Sequence, residues 1–118
     1  MRYQLAMLTI DCVDPSELAK FWVAALDLEV AFDYDGQFMM LSSKQEGQPA
    51  IALQRVDEPR QGKNRMHPDF GVDDLQAEVR RLVELGATEH ETNTSPDGEF
   101  TWTVLTDPEG NVFCVANH

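Results

Sequence analysis

An imidazole, a carboxylate and a thiol, at His67, Asp69 and Cys114, are the groups of this chain best suited to chemistry. His67 and Asp69 stand two apart in MHPDFGV, so on an extended strand they share one face with Gly71. His67 used with Asp69 or the earlier Asp11 suits metal-free isomerase or hydrolase chemistry, and either carboxylate is a candidate general base. Cys114, in TVLTDPEGNVFCV, has three readings: metal ligand, nucleophile, or small buried hydrophobe. As a nucleophile it needs a basic neighbour that lowers its pKa, and His67 is one such group. As a hydrophobe it needs nothing, since free cysteine is among the most buried residue types. The other groups have plain roles too. His67 is expected to hydrogen-bond to Gln54 or Asp11, and Asp11 and Asp69 are ready ion-pair partners for Arg65 in the local basic pair Lys63 and Arg65.

The elements that position these residues follow from periodicity and punctuation. Gln4 to Cys12 reads as a strand with Ala6, Leu8, Ile10 and Cys12 on one face and Met7, Thr9 and Asp11 on the other. VDPSELAKFWVAAL starts a helix: Asp14 caps, Pro15 takes the first helical position, and Glu17 completes a capping box. Leu18, Phe21, Trp22 and Ala25 form its apolar stripe. The strands LEVAFDY, FMMLSS and PAIALQRV follow, separated by DG and KQEGQ. Beyond the polar stretch DEPRQGKNR the pattern recurs. MHPDFGV is a strand, and DDLQAEVRRLVELG is a helix with Leu75, Val79, Leu82 and Val83 on one face and Gly86 past its end. The strands ATEHETN, FTWTVLT and NVFCVA complete it, with SPDG and DPEG as turns.

The chain is therefore β-α-β-β-β written twice, offset by about 60 residues. One helix to four strands is too few for a doubly wound parallel sheet. The expected class is α+β: two βαβββ modules forming a cupped eight-stranded mixed sheet, with the helices outside and a cleft on the opposite face. Strand phase places Trp102, Val104 and Thr106 on one face of their strand, and Phe38 with Met40 on another. A concave sheet lined by Trp, Phe and Met with a few polar groups is what a small-molecule site requires.

Composition removes other function classes. At 118 residues and 42% hydrophobic the chain suits one globular domain, with module 1 at about 1–57, a linker at about 58–64 and module 2 at about 65–118. A net charge of -12 repels phosphates and anionic lipid, so neither nucleic acid nor membrane is an expected partner. No apolar run is long enough to span a bilayer, and MRYQLAML is too short for a signal peptide. Cys12 and Cys114 fall in no metal or redox motif. With Cys12 on the helix side and Cys114 on the cleft side, reduced thiols in a cytoplasmic protein are expected.

The two modules, the helix starts VDPSELAKFW and VDDLQAEVRRLVELGA, and the closing hairpin DPEGNVFCV together resemble the glyoxalase/bleomycin-resistance/dioxygenase superfamily, the vicinal oxygen chelate fold. KNRMHPDF followed by LTDPEGNVFCV is similar to the small glyoxalase-like domain proteins. The resemblance covers nearly the whole chain. It implies a divalent metal held by inward-pointing His, Gln or Glu from the first and last strands of each module. Here those positions fall on Met7, Gln54, His67 and Cys114, the last in place of a carboxylate. A thioether is a poor ligand for hard or borderline ions, and a zinc site from His67 and Cys114 lacks a third strong donor. No metal and no cofactor are therefore expected. With that ligand set, the expected function is a small-molecule-binding protein of the superfamily without its usual metal centre, sequestering an aromatic or antibiotic-like ligand as the resemblance implies, on Met7, Thr9, Phe38, Met40, Gln54, Trp102, Val104 and Cys114. The alternative is a lyase, dioxygenase or isomerase acting on a small oxygenated substrate through His67, Asp11 and Asp69. A homodimer is the expected assembly.

Overall fold

The computed structural model describes residues 4–62 and 64–117; Lys63, half of the expected basic pair, lies outside them. The chain divides into two compact units, with the boundary between Arg60 and Gln61, inside the polar stretch between the two repeats. Unit 1 contains β1 (Met7–Cys12), α1 (Pro15–Leu26), β2 (Leu28–Tyr34), β3 (Phe38–Ser43) and β4 (Ala50–Arg55). Unit 2 contains β5 (Asp69–Val72), α2 (Leu75–Leu85), β6 (Thr88–Thr94), β7 (Thr101–Thr106) and β8 (Val112–Asn117). Each unit is a βαβββ module with a four-stranded mixed sheet, in the order β1-β4-β3-β2 and β5-β8-β7-β6. The first and last strands of each module lie parallel and the other pairs antiparallel. The long connection that a parallel pair requires runs through the helix and the two antiparallel strands after it.

Both helices start as their sequences dictate. Asp14 Oδ1 accepts the Glu17 N–H at 3.2 Å with Pro15 in the first turn, and Asp74 Oδ1 accepts the Ala77 N–H at 3.1 Å. The Glu17 carboxylate lies 3.0 Å from Lys20 Nζ, one turn further on. α2 stops at Gly86, whose φ of 125° is a conformation that side chains resist. A β-carbon there would also meet the Pro108 ring at 3.3 Å.

α1 buries Pro15, Leu18, Ala19, Phe21, Trp22 and Ala25, so its predicted stripe is the packed one. α2 buries Val79 and Leu82, but Val83 is 42% exposed, contrary to the sequence reading. At about 100° per residue Val83 lies to one side of the Val79–Leu82 line. Beside α2 a groove of about 300 Å³ runs over β6 and β7, lined by Leu75, Gln76, Val79, Arg80, Thr92 and Thr103 among others.

Two strands are shorter than their sequences suggested. β1 begins at Met7, where pairing to β4 begins, and β5 begins at Asp69. Pro68 brings no N–H to a ladder, so His67 sits just ahead of the strand. β2 and β6 each carry a register shift, at Ala31 and His90. In β2 this puts Val30 opposite buried Leu41, at the half-exposed border of the helix-covered face, but Phe32 opposite Met40 on the other.

Candidate functional site

The parallel pairing of β5 with β8 sets Asp69 opposite Cys114. The Cys114 N–H donates to the Pro68 carbonyl at 2.9 Å, which ties down the residue between His67 and Asp69. Asn64 pins the same segment from the other side. Its Oδ1 accepts the Val112 N–H at 3.1 Å, while its Nδ2 donates to the carbonyls of Val112, at 3.4 Å, and Met66. The start of β8 is held in turn by Asp107, a carboxylate only 2% exposed. Asp107 Oδ1 accepts the N–H groups of Glu109 and Asn111, both at 2.9 Å, and Asn111 Nδ2 reaches both of its oxygens. The turn residues that suggested a hairpin thus also satisfy a buried charge through hydrogen bonds.

These supports bring the ligating atoms of His67, Asp69 and Cys114 within 4.8 Å of one another. His67 Nδ1 lies 3.2 Å from Asp69 Oδ1. Within module 2 the partner of His67 is therefore Asp69. Extended backbone on either side of Pro68 puts positions two apart on one side of the chain. Arg65, the expected partner of Asp69, is an exposed loop residue. Cys114 is 4% exposed on a central strand, whereas the His67 and Asp69 side chains are 38% and 60% exposed. Val104 pairs with Cys114 across the sheet, and Trp102 pairs with Ala116 one step along. His67, Asp69, Cys114, Val104 and Trp102 are thus one neighbourhood of module 2.

The remaining sequence-predicted residues form a second neighbourhood, in module 1. Register places Asp11, Gln54, Phe38 and Tyr34 in one cross-strand row, and Thr9, Ala52, Met40 and Phe32 in the next, with Met7 opposite Ala50. This is the face away from α1, since the alternate positions Met39, Leu41, Ile51 and Leu53 are the buried ones. Phe32 and Tyr34 are 49% and 66% exposed and stack with ring centroids 6.4 Å apart. Sequence reading missed both. Their signal was alternation within LEVAFDY, but the shift at Ala31 breaks its phase. Asn64 and Asp107 were also missed, because their roles are set by partners distant in sequence or by burial.

The resemblance implied a metal held by Met7, Gln54, His67 and Cys114. The registers change one of these positions. Met7 and His67 stand equally far ahead of their helix caps, Asp14 and Asp74. Thr9 is then the counterpart of Asp69, and the residue opposite Thr9 is Ala52, as Cys114 is opposite Asp69. Gln54 corresponds to Ala116 instead. The donor positions of module 1 therefore hold a thioether and a methyl group. A hard divalent ion wants oxygen and imidazole ligands, and this set does not fit one. Among the described residues, the donors that converge are all in module 2.

Comparison with known proteins agrees with this architecture. The crystal structure of a glyoxalase/bleomycin resistance protein/dioxygenase family enzyme from Burkholderia phytofirmans PsJN is 19% identical, with a TM-score of 0.82 over 98% of this chain and 98% of that one. The fosfomycin resistance protein FosX from Listeria monocytogenes is 16% identical, with a TM-score of 0.81, covering 100% of this chain and 95% of that one. Lactoylglutathione lyase from Agrobacterium tumefaciens is 17% identical, with a TM-score of 0.72, covering 98% and 94%. At these identities the likeness is one of fold. No curated protein matches this sequence. The family model described as glyoxalase-like domain matches residues 7–116, from the first strand of module 1 to the last of module 2, and the chain belongs to that family.

Proposed function

We propose that this protein binds a small organic ligand with a flat aromatic part, and that it does so without the hard-ion centre usual in its superfamily. The observation that carries this reading is the pair of adjacent rows, Tyr34 with Phe38 and Phe32 with Met40, on the helix-free face of module 1. Two stacked, half-exposed rings are unusual on a chain with a net charge of -12. Thr9, Gln54 and Asp11 continue the same two rows as polar groups, and Met7 lies one step beyond them. An apolar platform with a few polar groups at one side orients a ligand as well as holding it. Trp102, Val104 and Cys114 offer a similar mixture in module 2. Sequestration of an antibiotic-like compound is the activity this suits. A homodimer in the cytoplasm is part of the same proposal, motivated by reduced thiols and exposed apolar surface. No helix among the described residues is long and apolar enough to cross a membrane.

Calorimetric titration with a bleomycin and with a set of polycyclic aromatic compounds tests the reading. Binding of at least one compound is expected, weakened roughly tenfold by Phe32→Ala or Tyr34→Ala as apolar contact is lost. Binding that survives both substitutions unchanged would sink it. A second reading, catalysis by lyase, dioxygenase or isomerase chemistry, is favoured by the 3.2 Å contact between His67 and Asp69. An imidazole oriented by a carboxylate is a competent base. Turnover abolished by His67→Ala, with ligand binding retained, would favour it over sequestration.

A further inference from the structure

We infer that module 2 by itself holds a thiophilic divalent cation of the zinc class, through the Cys114 thiolate, a ring nitrogen of His67 and the Asp69 carboxylate. Asp69 is the third strong donor that sequence reasoning lacked. It reaches the cluster because β5–β8 register sets it opposite Cys114. The ligating atoms lie within 4.8 Å of one another, and the imidazole and carboxylate atoms are already 3.2 Å apart. Ligands at zinc bond lengths around a tetrahedral centre stand about 3.3–3.8 Å from each other. Closing the cluster onto an ion therefore asks for side-chain movements of about 1 Å. The two groups that must move, His67 and Asp69, are the exposed ones, and buried Cys114 stays fixed.

The donor chemistry selects the ion. One thiolate, one imidazole and one carboxylate suit zinc, cobalt or cadmium and disfavour magnesium, manganese and calcium. Three protein donors leave a fourth tetrahedral position for water or an exogenous ligand, and the 38% and 60% exposure of the His67 and Asp69 side chains gives solvent access to the cluster. On binding, the thiol releases its proton to solvent and no electron changes hands. The site differs from the centre implied by the superfamily resemblance, which draws on both modules. Here Asp69 is added and module 1 contributes nothing. The inference is independent of the aromatic platform of module 1.

Cobalt(II) is the probe. Titration of the purified chain is expected to produce a sulfur-to-metal charge-transfer band in the near ultraviolet, saturating at one ion per chain and displaced by zinc but not by magnesium or manganese. Cys114→Ser should abolish the band while circular dichroism stays that of the parent, and Cys12→Ala should keep it. Asp69→Asn, a change at an exposed side chain, should weaken cobalt binding roughly tenfold or more, since even outer-shell partners are worth that much. Met7→Leu and Gln54→Ala should leave cobalt affinity unchanged. The inference is overturned if the folded parent gives no thiolate band, if manganese binds more tightly than zinc, or if Asp69→Asn is silent. Loss of cobalt binding in Met7→Leu equal to that in Asp69→Asn would also overturn it, by making the centre a two-module one.

Discussion

Module 1 presses Leu18, Phe21, Trp22 and Ala25 of α1 onto a sheet face of Met39, Leu41, Ile51 and Leu53, whereas module 2 gives α2 only Val79 and Leu82 to bury. The helix-free faces differ in the opposite sense. Module 1 displays an aromatic platform there, and module 2 displays the imidazole, carboxylate and thiol. The same chain path has been given two tasks. One copy holds most of the helix-side packing and a surface for apolar contact. The other, with polar Thr92 and Thr103 hydrogen-bonded at 2.9 Å beside its groove, holds the reactive groups. A repeated fold does not require repeated function, because function sits in side chains that the repeat leaves free to diverge.

The largest test of this division lies under α1. Trp22, 1% exposed, should cost about 3–5 kcal/mol when changed to alanine, and Leu82→Ala about 2–3 kcal/mol, because the side chain is smaller and its helix buries only Val79 beside it. Urea unfolding compares them; equal losses would mean that the two cores are equivalent after all. Next comes the closing hairpin of each module. Asp107→Ala strips the partner from backbone N–H groups and should cost about 2–3 kcal/mol. In module 1, Ser43 Oγ accepts one N–H, from Gln45, in an exposed loop, so Ser43→Ala should cost about 0.5 kcal/mol. A costly Ser43→Ala would remove the contrast. Where the modules match, so should the effects. Asp14→Ala and Asp74→Ala each remove a helix cap and should each cost about 1 kcal/mol by the same measurement.

The smallest effect is one of pH, in module 2. The Ser95 hydroxyl, and then the Glu99 N–H, hold the Asp97 carboxyl below its ordinary value. A depressed folded value means stabilisation that is complete above the unfolded pKa and lost as pH falls through the folded one. Protection of the β6–β7 turn amides should therefore decline on acidification below the ordinary carboxylate range. Asp97→Asn should flatten that decline, and a decline of the same size in the variant would assign it to another group.

Much of this architecture was legible in the sequence because its signals are local. Asp14 with Pro15, the Leu18–Trp22 stripe, Gly86 and DPEG each act within a few residues, and each marks a boundary the structure keeps. The membership of the two cross-strand neighbourhoods was legible in part, since period-2 phase put Met7 with Asp11 and His67 with Asp69. Register was not. Nothing in PAIALQR says that Ala52 rather than Gln54 stands where Cys114 stands in the other module; that depends on which β4 residue meets Thr9. The phase of Phe32 was hidden for the same kind of reason. A bulge is defined by a partner strand, and LEVAFDY alone does not announce the extra residue at Ala31. The third donor, Asp69, was visible as a residue but not as a neighbour of Cys114.

Those bulges have a consequence for how the protein survives in a crowded solution. β2 and β6 are edge strands, and the outer row of N–H and C=O groups on such a strand is a template on which another chain can crystallise its own backbone. On β2 the hazard is compounded, since Val30, Phe32 and Tyr34 all stand in water. One unmatched residue at Ala31 kinks that template and puts its successive side chains out of step, so an incoming strand cannot align with its whole length. The irregularity that turns Phe32 towards Met40 thus also discourages fibre growth from this apolar border of module 1.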